Sequence, residues 1–150
     1  MKMTEPSRDP LLFHRNESDE SWTAGRRKFS KVLLVDDSKF LADILAMFFE
    51  LDGYSARAAY GGHEAIAAVE EDMPDIAFID LDMPDMNGLD LARRIRASQH
   101  ARVTLLVALS GWDEEQHKQD AAEAGFDHFL AKPVGAPAIR EFMAWLSTGE

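Results

Sequence analysis

Residues 78–88 read FIDLDMPDMNG, and the fold turns on how they are read. The lead-in DIAFI, residues 75–79, is a short apolar run of the kind that forms a strand covered on both faces. The chain then turns abruptly acidic. Asp80, Asp82 and Asp85 fall within six residues, and Pro84 and Gly88 close the segment. A core strand that runs straight into carboxylates makes sense only if its end opens on a polar site, so the neighbouring segments decide what else meets there.

Upstream, KVLLVDD (31–37) is another short apolar run ending in acids. SKFLADILAMFFELDGY (38–54) has helical periodicity, with Phe40, Leu41, Ile44, Leu45, Phe48 and Phe49 forming one wide stripe. Ser38 is placed to cap that helix and Gly53 to stop it. YSARAAY (54–60) reads as a weak strand and GGHEAIAAVEED (61–72) as a helix. Downstream come a helix in GLDLARRIRASQ (88–99), the strongest strand pattern in RVTLLVALS (102–110) and a polar helix in DEEQHKQDAAEAG (113–125). A strand in FDHFLA (126–131) and an amphipathic helix in PAIREFMAWLS (137–147) follow. Five strands alternating with five helices imply βαβ crossovers: an α/β, doubly wound (βα)5 domain with a five-stranded parallel sheet.

The chain has 150 residues, suited to one domain with a core, and no cysteine, which excludes disulfides and thiolate metal sites. No segment approaches the roughly 20 apolar residues of a membrane span, and the N-terminus lacks a signal-peptide run, so a cytoplasmic protein is expected. Residues 1–30 carry six Lys/Arg and five Asp/Glu, whereas residues 31–150 carry ten and twenty-two, net −12. So acidic a domain repels phosphate backbones, which argues against direct nucleic-acid binding, and attracts cations or basic protein surfaces. Residues 1–29 show no sustained periodicity and are expected to be a flexible extension, with a sticky patch at Leu11 to Phe13 and Trp22 as a further contact. The domain is expected over 30–150, with no output domain after it. His14, His63, His100, His117 and His128 have no metal-ligand spacing, and Met83 and Met86 read as loop packing.

In an open parallel sheet ligands bind outside the carboxyl ends of the strands. The first strand ends in Asp36-Asp37, the third in Asp80, the fourth in Ser110-Gly111 and the fifth in Lys132-Pro133. Taken singly, an Asp pair after a strand is often a cap and turn, and a Lys-Pro has no chemistry of its own. Together, at successive strand ends, they converge. Two like charges about 4 Å apart repel by roughly 4 kcal/mol at an effective dielectric of 20. The acids therefore need a cation or a proton. Hard carboxylate oxygens suit Mg²⁺, often shared with a phosphoryl group. Ser110 can donate to an anionic oxygen and Lys132 can neutralise one. The constellation points to a Mg²⁺ and phosphoryl site in which one Asp is a nucleophile.

VLLVDDS (32–38), PDIAFIDLDMPDMNGLDL (74–91), VALSGW (107–112) and GFDHFLAKP (125–133) resemble the receiver domain of two-component response regulators, a flavodoxin-like fold. The resemblance spans residues 31 to about 148. It implies that Asp80, with Pro84 four residues on, is the phosphoacceptor that attacks a phosphohistidine on a histidine kinase or histidine phosphotransfer protein. It implies that Asp37 binds Mg²⁺ directly, that Asp36 binds it through water, that Asp80 is itself a metal ligand, and that the Asp82 backbone carbonyl completes the protein ligands. Ser110 matches the residue that swings toward the phosphoryl group, Lys132 the salt-bridging lysine and Phe129 the aromatic switch, so a local charge event would bias a bistable packing. Gly111 stands where the family more often has Ala. Trp112 and Asp82 flank the position of a hydrolytic water, and the bulk of Trp112 is expected to lengthen the phosphoryl lifetime.

Two other readings compete. DLD (80–82) is similar to the nucleophile motif of haloacid-dehalogenase-like phosphatases, but there the nucleophile strand comes first and the acidic pair last, the reverse of this order. A phosphorylation-independent receiver-like binding module would usually have lost the acceptor or the acidic pair, and both are present. Output is expected through a protein surface, on a downstream protein target, by a monomer or a weak phosphorylation-dependent dimer; the ALSGW and EAGFDHFLAKPV stretches look most like receivers of hybrid histidine kinases. The first helix carries more apolar residues than one buried face needs, which suits either deeper burial or docking on a helical bundle.

Overall fold

A computed structural model describes residues 29–98, 104–111 and 115–148. The strands are β1 (Lys31–Val35), β2 (Ser55–Ala59), β3 (Ile76–Asp80), β4 (Leu105–Ser110) and β5 (His128–Ala131). The helices are α1 (Lys39–Leu51), α2 (Gly62–Glu71), α3 (Gly88–Ala97), α4 (Glu115–Ala124) and α5 (Ala136–Thr148). All four strand pairings are parallel, in the order β2-β1-β3-β4-β5.

The pleat sorts the core by parity, because successive strand residues point to opposite faces. Leu33, Val35, Ala77, Ile79, Leu106, Ala108 and Phe129 pack with α2, α3 and α4. Their neighbours Val32, Leu34, Ile76, Phe78, Leu105, Val107, Leu109 and Leu130 pack with Phe49 of α1 and with Ile139, Phe142, Met143 and Leu146 of α5. His128 joins the second face, its ring 5.3 Å from Phe142 and 5.6 Å from Trp145, while adjacent Phe129 faces the first. Met83 and Met86 are buried on the α2–α3 side, as loop packing requires.

Local signals set the ends. Ser38 accepts from the Leu41 N–H and caps α1, and Gly53, at φ 97°, follows its C-terminus in the left-handed region that glycine tolerates. Asp75, just before β3, accepts from the Ser30 and Lys31 N–H groups at 2.8 and 2.9 Å and fixes where β1 starts. The fourth strand is shorter than its apolar run: Thr104 is buried with its hydroxyl donating to the Pro74 carbonyl, and pairing begins at Leu105.

The wide stripe expected on α1 is split. Only Ala42 and Phe49 are buried, whereas Phe40 is 71 % exposed, Met47 58 % and Leu51 75 %. The helix lies over β1 and the edge strand β2, whose SARAA sequence offers a narrow, small-residue surface, so one line of α1 suffices to cover it.

Candidate functional site

The strand register brings the polar residues together. Val35 pairs with Ile79, Asp80 with Leu109, and Ser110 with Ala131, so the residues just beyond each strand end lie along one rim of the sheet. Asp36, Asp37 and Asp80 each offer a carboxylate oxygen there, all within 4.8 Å of one another. Asp36 and Asp80 are buried while Asp37 is exposed, so the group opens to solvent on the Asp37 side.

Each carboxylate is held by its own backbone surroundings. Asp36 Oδ1 accepts from the Ser38 N–H at 2.9 Å, in the turn that starts α1. Asp80 Oδ1 accepts from the Asp82 N–H at 3.0 Å and from Lys132 Nζ at 3.0 Å. Both donors meet on that one oxygen, and Oδ2 accepts from no described residue. Lys132 is itself placed by its N–H, which donates to the Ser110 carbonyl at 2.7 Å, and the Lys132–Pro133 peptide bond is cis. Ser110 is fully buried at the end of β4. Gly88 allows the β3–α3 loop to return to the site: a Cβ there would lie 2.7 Å from the Asp80 carbonyl oxygen and 2.8 Å from Leu81 Cα.

Burial and charge set the electrostatics. Desolvation raises the Asp36 pKa above the ordinary aspartate value; the Ser38 N–H opposes this, and the charges of Asp80 and Asp37 add to it. Burial works against the Lys132 ammonium, but its hydrogen bond to Asp80 and the charges of Asp80, Asp36 and Asp82 outweigh that and raise its pKa. Among the described residues one ammonium, that of Lys132, therefore faces several carboxylates, and burial shifts Asp36 toward protonation. Such a balance of charge suits an added cation. Oxygen-only donors of this kind fit Mg²⁺.

Six of the residues singled out from the sequence, Asp36, Asp37, Asp80, Asp82, Ser110 and Lys132, stand at or just beyond the ends of β1, β3, β4 and β5. The seventh, Phe129, is buried in the α4 side of the core, beside Ala121 and Ala124. Trp112 lies outside the described residues. Two supporting features were not anticipated. Gly88 is one; its place directly after a turn rich in Asp, Pro and Asn is the signal that could have marked it. The other is a buried clamp: Arg96 of α3 donates to Asp127 Oδ2 at 2.6 Å, to the Thr104 carbonyl at 2.8 Å and to the Gly125 carbonyl at 2.9 Å.

The profile of the response regulator receiver domain matches residues 32–144. Among solved structures, the receiver domain of the Francisella response regulator 1452 is 30 % identical, covers 77 % of this chain and 96 % of its own, and superposes with a TM-score of 0.68. The signal receiver domain of a signal transduction histidine kinase from Syntrophus aciditrophicus is 26 % identical over 80 % of this chain and 91 % of its own, with a TM-score of 0.71. The Vibrio cholerae chemotaxis protein CheY4, at 24 % identity over 79 % and 99 %, shares the fold with a TM-score of 0.75. No helix among the described residues is long and apolar enough to cross a membrane.

Proposed function

The chain belongs to the response regulator receiver family, the phosphoacceptor signalling domains of two-component systems, and from that premise we propose that Asp80 is the residue that takes the phosphoryl group. The observation that carries the assignment is the asymmetry of its carboxylate. Lys132 Nζ and the Asp82 N–H both occupy Oδ1, which leaves Oδ2 for attack. In that step Oδ2 forms a bond to the phosphorus of a phosphohistidine, the P–N bond breaks, and the imidazole leaves with the electron pair and takes up a proton. The product is an aspartyl phosphate.

Asp36, Asp37, Asp80 and the Asp82 backbone carbonyl would hold Mg²⁺, which would neutralise charge on the transferring oxygens. Lys132 keeps the acceptor oriented and then balances the added negative charge. Ser110, buried one strand away, donates its hydroxyl to a phosphoryl oxygen and draws the end of β4 toward Asp80. Phe129 on the neighbouring strand reads that movement through its packing against α4. The donor is a histidine kinase or a histidine phosphotransfer protein in the cytoplasm, whose helical bundle docks on the exposed apolar side of α1 so that its histidine reaches Asp80. The output is a protein surface, and the only reactions catalysed are the domain's own phosphorylation and dephosphorylation.

The test is intact mass after incubation with acetyl phosphate and Mg²⁺. Wild type is expected to gain one phosphoryl group, Asp80→Asn none, and EDTA to abolish the gain. A folded, Mg²⁺-binding protein that gains nothing would support a phosphorylation-independent binding module. Steady phosphate release from many phosphomonoesters would support a phosphatase.

A further inference from the structure

Among the described residues the large apolar side chains left exposed, Phe40, Leu41, Ile44, Met47 and Leu51, all lie on α1. Four of them, Phe40, Ile44, Met47 and Leu51, follow 4-3-4 spacing, the repeat of a helix–helix seam. They fall opposite Ala42 and Phe49, the buried side of the helix. Leu41 and Phe48 border the seam on one side, and Asp43 and Glu50, both exposed, border it on the other. The patch is on the order of 500 Å², near the upper end of what a monomer leaves uncovered.

The two borders of the seam carry opposite charges in fixed places. On one side Asp43 Oδ1 accepts from the Tyr60 hydroxyl at 2.6 Å, which holds the carboxylate still. On the other the Arg140 guanidinium of α5 lies 5.4 Å from the centre of the Phe48 ring. It donates from Nε and Nη2 to Asp52 at 2.9 and 3.1 Å, and a guanidinium has five N–H groups, so it has donors for a second carboxylate. In a heptad reading Asp43 and Glu50 take the g positions, and Leu41 and Phe48 the e positions. A parallel pair of α1 helices sets g of one against e of the other, which brings Asp43 to the second copy's Phe48 and Arg140, twice by symmetry. An antiparallel pair would set Asp43 against the second copy's Glu50, acid against acid. The seam is thus complementary to itself in one orientation.

We propose that a second copy of this chain covers the α1 seam, the two helices running parallel about a two-fold axis so that Phe40, Ile44, Met47 and Leu51 of each meet the same residues of the other. Two such faces bury on the order of 1,000 Å² together, the size of a weak, reversible contact rather than an obligate dimer. The net charge of −12 over residues 31–150 opposes association at long range, but physiological salt screens charges beyond about 8 Å, so the seam and its borders decide the outcome. The contact itself is independent of phosphoryl chemistry. Only its consequence rests on the functional reading above: the second copy and the donor's helical bundle compete for one face, so self-association withholds the domain from protein donors.

The test is sedimentation equilibrium of the full-length protein from about 1 µM to about 1 mM, in EDTA and without a phosphoryl donor. The weight-average mass is expected to rise from monomer toward dimer. Amide NMR shifts of the wild type are expected to change with concentration from Phe40 to Leu51 and to stay constant in α3 and α4. Met47→Glu, at a position 58 % exposed, is expected to remain monomeric throughout. The chain has no cysteine, so Leu51→Cys carries a single thiol, and air oxidation is expected to link two copies there, since the parallel pairing sets each Leu51 against the other. A wild type that stays monomeric, shift changes centred outside α1, a dimer that survives Met47→Glu, or a Leu51→Cys dimer that does not link would each overturn the proposal. The wild-type shifts stand alone if Met47→Glu does not fold. No phosphoryl chemistry enters these measurements, so failure here leaves the phosphoacceptor reading standing.

Discussion

Replacing Asp36 by Asn separates the electrostatics of the acidic site from its packing. The amide is isosteric, and its oxygen can still accept from the Ser38 N–H, as Asp36 Oδ1 does at 2.9 Å. What disappears is one of three carboxylates whose oxygens lie within 4.8 Å of each other. At that separation and an effective dielectric of 20, each like-charge pair costs about 3.5 kcal/mol. Solvent around exposed Asp37 screens one pair, and the lost attraction of Lys132 offsets part of the gain. A net stabilisation of about 1–2 kcal/mol remains for the metal-free protein, roughly 3–10 °C in Tm for a domain of this size. The pH dependence has a definite sign. Because the folded-state pKa of Asp36 is raised, the native state binds more protons than the unfolded state between the ordinary aspartate value and that raised value. The contribution of Asp36 to stability therefore grows as pH falls through this window, and Asp36→Asn removes that slope. Mg²⁺ reverses the ranking: wild type gains stability on adding it, and the variant gains less because a ligand is missing. Differential scanning calorimetry in EDTA and in Mg²⁺, at several pH values, reads all three effects. A variant less stable than wild type in EDTA, or one with an undiminished gain from Mg²⁺, would refute the reasoning.

Other perturbations test the frame around the site. Asp127→Ala leaves the Arg96 guanidinium without its partner at 2.6 Å and the Leu106 N–H without its acceptor at 2.9 Å, so urea denaturation should show a loss of about 3–5 kcal/mol. Gly88→Ala drives a methyl into the backbone at Asp80 and Leu81; a loss of about 1–3 kcal/mol and slower acetyl phosphate labelling are expected together, and normal labelling would show that the loop has room to shift. Phe49→Ala should cost about 3–5 kcal/mol and Phe40→Ala less than about 0.5 kcal/mol, since one is buried and the other exposed; equal losses would reverse the assignment of the two faces of α1.

The strand–helix alternation and the site were legible for a shared reason. Both faces of a parallel sheet are covered, so strands such as Ile76–Asp80 read as unbroken apolar runs, and a carboxylate or hydroxyl at their ends stands out. Since every strand points the same way, chain order alone places Asp36, Asp80, Ser110 and Lys132 on one rim. The facing of α1 was not legible. Its apolar residues cover most of the helix, and which line of them is buried depends on how little surface β2 offers. Nor did the sequence disclose the Arg96–Asp127 clamp, which joins residues 31 positions apart and has no local pattern. Gly88 looked like an ordinary helix start, and only the approach of the Asp80 carbonyl shows why a side chain does not fit there.

The central claim is that the phosphoryl group sits on Asp80 and on no other acid of the cluster. Borohydride reduction of the phosphorylated protein, followed by peptide mass mapping, converts the acyl phosphate into a stable alcohol that marks its position. The account predicts the mark at Asp80 alone in wild type and nowhere in Asp80→Asn. A mark at Asp36, Asp37, Asp82 or Asp85 in the folded wild-type protein would contradict it.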